Sequence, residues 1–95
     1  MRDYELTVVF SPEIAGEDID DAIERVSQLI TQKEGVITEV NNWGKRKLAY
    51  LIENFREGNY VLIQLKLQPG QVAELDAKLK SRDEILRHLL VRLEE

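Results

Sequence analysis

The clearest strand signal in this chain is the run Glu57-Gly58-Asn59-Tyr60-Val61-Leu62-Ile63-Gln64-Leu65-Lys66-Leu67. From residue 61 onward every second side chain is aliphatic, which is the period of a strand that buries one face. Residues 57–59 are typical of a turn, and residues 36–53 before them again have β character. We therefore predict an antiparallel hairpin whose two strands are joined by the turn at 57–59.

A strand and two helices are predicted on either side of this hairpin. The apolar residues at 4, 6, 8 and 10 alternate with mostly polar ones and predict a strand that ends at Ser11-Pro12. From about Glu17 the apolar residues follow the period of an amphipathic helix, whose first turns are acidic and for which Gly35 is the expected stop. A second helix fits residues 71–80.

The pattern of the last residues is ambiguous. Ile85, Leu86, Leu89 and Leu90 would continue the second helix, but a break at 81–83 followed by a strand over 85–93 fits equally well. The strand completes the order β-α-β-β-α-β, an α+β split βαβ arrangement in which two helices cover one face of a four-stranded antiparallel sheet. We therefore favour the strand, within a single domain over residues 1–95.

Composition argues against several classes of function. The chain has no cysteine and one histidine, which argues against disulfides, thiolate chemistry and zinc sites. No apolar run is long enough to span a membrane, and the charged N-terminus does not have the apolar core of a signal peptide. We expect a cytoplasmic protein with no membrane partner.

The sequence motifs give little support for a catalytic function. The serines have no neighbouring base motif, and His88 in its apolar run is interpreted as a structural or surface residue. Asp18, Asp20 and Asp21 have the spacing of metal ligands, but a helix start explains them because the helix dipole favours acidic residues there. We expect no enzyme activity, no metal, no cofactor and no small-molecule substrate.

A basic motif interrupts this acidic chain at Trp43-Gly44-Lys45-Arg46-Lys47-Leu48-Ala49-Tyr50. Residues 1–42 hold 10 acidic and 3 basic side chains, whereas residues 43–93 hold 10 basic and 6 acidic ones. Consecutive cations contribute nothing to a core, and salt screens charges over about 8–10 Å, so a basic face can act apart from an acidic one. Residues 36–53 fit a bent or bulged strand, or two strands with a kink at Gly44, and in either case these cations predict a surface for nucleic acid.

Other cations and aromatic residues are candidates for the same role. The RNA- or partner-binding candidates are Arg2, Trp43, Lys45, Arg46, Lys47, Arg56, Tyr60, Lys80, Arg82 and Arg87. Tyr50 is in phase with Leu48 and Ile52, so we predict that it packs; for Trp43, packing and base stacking are left open. An RNA-recognition motif matches only weakly, through Gly58 and Tyr60.

Four motifs together resemble a known family. Tyr4-Glu5, the basic motif at 43–50, Gly58-Asn59-Tyr60 and Arg82-Asp83-Glu84-Ile85-Leu86-Arg87-His88 are similar to the bacterial ribosomal protein S6 family, the sixth protein of the small ribosomal subunit. The similarity spans nearly the whole chain. Leu51 departs from the family, in which a proline often follows the Ala-Tyr pair, and this leaves the local path of the strand open.

The resemblance implies a ferredoxin-like fold, a final strand and a non-catalytic role in the small ribosomal subunit. It implies binding to the central domain of 16S ribosomal RNA as a heterodimer with ribosomal protein S18, the eighteenth protein of that subunit. Lys45, Arg46 and Lys47, with Arg82 and Arg87, are the implied RNA or partner contacts, and Arg2 is a further one. No extended tail is expected beyond Glu95.

The alternative hypothesis is a ferredoxin-like regulatory or ligand-sensing module that oligomerises through its sheet edges. Such a module would need a ligand pocket and would have no use for three consecutive cations. Replacing Lys45, Arg46 and Lys47 distinguishes the two hypotheses.

Overall fold

A computed structural model of the chain describes residues 1–93, so the acidic pair at 94–95 and the expected end of the chain there lie outside the described residues. Its elements are β1 (Arg2–Phe10), α1 (Ile19–Gln32), β2 (Val36–Ile52), β3 (Phe55–Leu67), α2 (Val72–Lys80) and β4 (Ile85–Arg92). A short 3-10 turn precedes each helix. The order confirms the β-α-β-β-α-β prediction, including the strand at the end.

The four strands form one antiparallel sheet in the order β2-β3-β1-β4. One face of β1 and β3 is buried beneath the two helices, and the core there consists mainly of aliphatic side chains from all these elements. Fully burying one such aliphatic side chain stabilises the fold by roughly 1.5–3 kcal/mol. We call the other side of the sheet the open face; Thr7, Tyr60, Leu62, Leu89 and Val91 lie on it.

The hairpin turn lies at Glu53-Asn54, so the prediction of a turn at 57–59 was wrong. Both turn residues have positive φ, 50° at Glu53 and 70° at Asn54, and Ile52 pairs with Phe55 across them. Two left-handed central residues are the geometry of the two-residue turn that suits twisted strands.

Gly58 instead lies inside β3, where it pairs with Arg46. A Cβ at this position would lie 2.5 Å from Val9 Cγ1 and 3.1 Å from the Phe10 carbonyl oxygen. Gly58 therefore allows β1 and β3 to pack closely, and its presence in the sequence does not indicate a turn.

Gly35, just after the C-terminus of α1, also has a different role from the one expected. The Gly35 N–H donates to the Ile30 carbonyl at 3.0 Å and the Glu34 N–H to the Thr31 carbonyl at 3.0 Å, the Schellman pattern. The left-handed residue is Glu34, with φ of 62°, whereas Gly35 is needed because a Cβ there would lie 2.6 Å from Ile30 Cγ2.

Candidate nucleic-acid interface

Part of the β2–β3 hairpin extends beyond the rest of the sheet. β1 pairs with β3 only from Arg2–Leu67 to Phe10–Asn59, so residues 45–58 form a two-stranded projection that we call the arm. Lys45, Arg46 and Lys47 are exposed on its β2 strand and Arg56 on its β3 strand. Successive strand residues point to opposite faces, so the arm displays cations on both sides.

A bulge at Gly44 sets the position of the basic motif. The β2–β3 register shifts between Asn42 and Gly44, where φ is 77°, and the Gly44 N–H donates to Asn42 Oδ1 at 2.9 Å. The prediction of a bulge is confirmed. Trp43 is left 52% exposed, and Arg46 Nε donates to the Trp43 carbonyl at 3.3 Å, which ties the guanidinium to the backbone at Trp43.

Two grooves join the arm to the far edge of the sheet. Trp43, Arg46, Lys47 and Tyr60 line the first, and Tyr60 also lines the second together with Thr7, Val9, Arg87 and Leu89. Tyr60 therefore borders both grooves. We call the five residues Trp43, Arg46, Lys47, Tyr60 and Arg87 the basic surface.

Tyr50 is exposed, so the prediction that it packs was wrong. Its side chain is 56% exposed, and the guanidinium carbon of Arg87 lies 5.2 Å from the centre of its ring. Leu48 and Ile52, its neighbours in the strand pattern, are half-buried. However, among the described residues none of the arm belongs to the hydrophobic core, so its strand pattern does not lead to a core. A sequence pattern gives no signal for the contact with Arg87.

The remaining candidates are dispersed. Arg2 is exposed at the start of β1, at the end of the sheet opposite the arm. Lys80 lies in the last turn of α2, in the helix layer, and pairs with Asp76 at 3.5 Å. Arg82 is half-buried in the turn before β4, at the same end of the sheet as the arm. The structure thus brings the arm, Tyr60 and Arg87 together and leaves Arg2 and Lys80 apart from them.

His88 is a structural residue, as interpreted from the sequence. It lies on the helix side of β4 with its side chain 9% exposed, and Nε2 is 2.7 Å from Asp76 Oδ1. This hydrogen bond lowers the pKa of Asp76, against the opposing effect of partial burial, and the charge of Lys80 lowers it further. The contact ties α2 to the edge strand.

The open face also carries an apolar region, which begins at Leu89 in the second groove. Leu89 is 61% exposed and Val91 42% exposed on β4, and the half-buried Leu62 lies on the same face. Exposed aliphatic residues grouped on one face are typical of a surface that another macromolecule covers.

Neither a metal site nor a membrane span is found in the part of the chain that the structure describes. Within residues 1–93 no three His, Cys, Asp or Glu side chains are grouped so that they could hold a metal ion. None of the described helices has the length and apolar character needed to cross a membrane.

Comparison with known proteins gives one consistent result. The family model described as ribosomal protein S6 matches residues 3–92. The chain belongs to the ribosomal protein S6 family. The small ribosomal subunit protein bS6 of Dehalococcoides mccartyi is 40% identical over 100% of this chain and 87% of its own length. That of Moorella thermoacetica is 41% identical over 100% of this chain and 97% of its own.

A solved member of the S6 family has the same fold. The crystal structure of 30S ribosomal protein S6 from Thermotoga maritima matches with a TM-score of 0.91 and 31% identity, covering 97% of this chain and 87% of that one. The resemblance and the ferredoxin-like fold are thereby confirmed. The present chain, as a member of the S6 family, is a component of the small ribosomal subunit and hence of the ribonucleoprotein that carries out translation.

The departure from the S6 family at Leu51 does not end the strand. β2 continues through Leu51 to Ile52, and Leu51 is 57% exposed on the arm. The register with β3 shifts between Lys47 and Ile52, so the path is irregular but remains paired at the turn.

Proposed function

We propose that this S6 protein is a non-catalytic component that binds the central domain of 16S ribosomal RNA as a heterodimer with ribosomal protein S18, in the ribosome of the cytoplasm. The observation that carries the proposal is the grouping of the basic surface along two grooves that share Tyr60, in which the arm cations and Arg87 flank Trp43 and Tyr60. Cations supply affinity for phosphates, and exposed aromatic rings stack on unpaired bases.

Electrostatics support an RNA contact through the arm. Among residues 1–93, Arg46 and Lys47 have no carboxylate partner, and Lys45 has only a 4.0 Å contact with Glu57 in an exposed position. Exposed pairs of that kind contribute roughly 0–1 kcal/mol, so Lys45 is available to a phosphate at little cost. The acidic residues 17–24 lie around the start of α1, in the helix layer, away from the open face.

The small number of cations available for RNA supports a role for a protein partner. With a net charge of −5, this protein has few cations to spare for RNA, and its affinity alone should be low. Leu89 and Val91 offer S18 an apolar contact on the same face that carries the basic surface. A heterodimer would then present the cations of both chains on one composite surface.

The test replaces Lys45, Arg46 and Lys47 together with Ala and measures the affinity of the S6–S18 pair for a central-domain 16S fragment. We expect a loss of at least about tenfold, because three phosphate contacts disappear. Lys78→Ala is the control, since Lys78 is an exposed cation on α2 and its loss should leave the affinity unchanged.

An unchanged affinity of the triple variant would contradict the proposal. If the wild-type pair also failed to bind RNA, with both proteins folded, the ligand-sensing alternative would be favoured. In that case the groove beside the arm, lined by Pro12, Tyr50, Leu51 and Phe55 among others, would be the first place to seek a ligand.

A further inference from the structure

Tyr50 and Arg87 belong to the two opposite edge strands of the sheet. Two strands, β3 and β1, separate β2 from β4, yet the Arg87 guanidinium carbon is 5.2 Å from the centre of the Tyr50 ring. The contact is possible because the arm bends back across the end of the sheet. Pro12, just after β1, lines a groove together with Tyr50 and Leu51, consistent with this path.

The arm needs a contact of this kind to have a fixed direction. From Arg46 and Gly58 outward its two strands pair only with each other, and their register shifts between Lys47 and Ile52. A two-stranded hairpin alone is marginally stable in water. Since Tyr50 is 56% exposed, burial contributes little, and the guanidinium over the ring is a specific interaction that can hold it.

Arg87 is suited to bind an anion while it is stacked. It lies opposite Val9 on the open face, and no carboxylate within residues 1–93 forms an ion pair with it. A guanidinium that lies over an aromatic ring keeps its in-plane N–H groups available, and these match the oxygens of a phosphate.

We propose that Tyr50 is a positioning residue, which holds Arg87 in the basic surface so that the arm and β4 bind adjacent phosphates of one RNA. This inference rests on the proposed function and extends it to a residue outside the basic surface. Tyr50 acts by restricting the guanidinium and by fixing the arm against the sheet before RNA binds.

The test is a double-mutant cycle on the full-length protein paired with S18, with affinity for the central-domain 16S fragment as the readout. Tyr50→Leu should weaken binding about two- to fivefold, while Tyr50→Phe, which keeps the ring, should stay within about twofold of wild type. In the Arg87→Ala background, Tyr50→Leu should cause no further loss. Leu51→Ala, at an equally exposed neighbour, should leave the affinity unchanged.

Three results would overturn the inference: no loss from Tyr50→Leu, an equal loss with and without Arg87, or failure of Tyr50→Phe to retain binding. An equal loss in both backgrounds would mean that Tyr50 acts on the arm without acting through Arg87. The triple lysine-arginine variant separates this inference from the proposed function. If that variant loses binding and Tyr50→Leu does not, only the role of Tyr50 fails.

Discussion

At the scale of single residues, Gly58 tests how closely the strands pack. Gly58→Ala should lower the free energy of unfolding by about 1–3 kcal/mol, because the new Cβ would meet Val9 and the Phe10 carbonyl. Urea unfolding measures the change. The control is Gly70→Ala, where nothing lies within 4 Å of the added atom, so stability should stay equal or rise slightly. Equal unfolding midpoints for Gly58→Ala and wild type would contradict the packing argument.

The contact between His88 and Asp76 should give stability a specific pH dependence. The pKa of Asp76 is lowered in the folded protein from its usual 3.8, so the unfolded state takes up the proton first as pH falls. The contribution is therefore complete above the usual value and is lost as pH falls through the folded pKa. Its size should be below about 1 kcal/mol, because the carboxylate is 38% exposed.

Asp76→Asn measures this contribution. The stability difference from wild type should shrink as pH falls below about 4, because the lowered pKa of Asp76 is then approached from above. Asp83→Asn, at an exposed position, is the control for removing a carboxylate. A difference that stays the same across the acidic range would show that the charge of Asp76 is not what the variant removes.

The sequence pattern predicted which residues are buried better than it predicted the structural role of each residue. Alternation in β1 and β3 identified the buried side chains at 4, 6, 8, 10 and at 61, 63, 65, 67 correctly. Gly58 and Tyr50 were misread because their roles depend on residues distant in sequence, Val9 and Arg87 respectively. A single sequence holds no signal for such contacts.

At the scale of elements, the turn at Glu53-Asn54 depends on left-handed backbone. Asn54→Val should lower the free energy of unfolding by about 1–2 kcal/mol, since φ there is 70° and a β-branched residue avoids that region. Asn54→Gly should be neutral or mildly stabilising, because glycine adopts positive φ freely. Ala49→Val, an exposed strand position, controls for adding a branched side chain to the arm. Equal stability of Asn54→Val and Asn54→Gly would argue against this turn geometry.

The elements themselves were largely predictable from periodicity, and the exceptions have physical causes. Glu53 is an uncommon residue at a left-handed position, so composition directed the turn prediction to the glycine at 58. The final strand was not decidable from periodicity, because both sets of residues in 85–93 are partly apolar; fold logic and family resemblance decided it. Its outer face carries Leu89 and Val91 exposed, which explains the mixed pattern.

At the scale of the whole molecule, charge is divided between two surfaces. The contrast in charge between residues 1–42 and 43–93 predicted this division. The three consecutive cations at 45–47 predicted that their side chains would be exposed. It could not predict that the arm bends toward β4, because that path depends on how the whole sheet is assembled. The basic surface is therefore a property of the fold, although its cations are evident in the sequence.

A mobility-shift titration tests whether this protein and S18 form one RNA-binding surface. The central-domain 16S fragment is titrated with this protein alone, with S18 alone and with the pair, at two salt concentrations. We predict tight binding only by the pair, with an affinity that falls steeply as salt rises because several phosphate contacts release counterions. Binding by this chain alone as tight as that of the pair, or affinity independent of salt, would contradict the account.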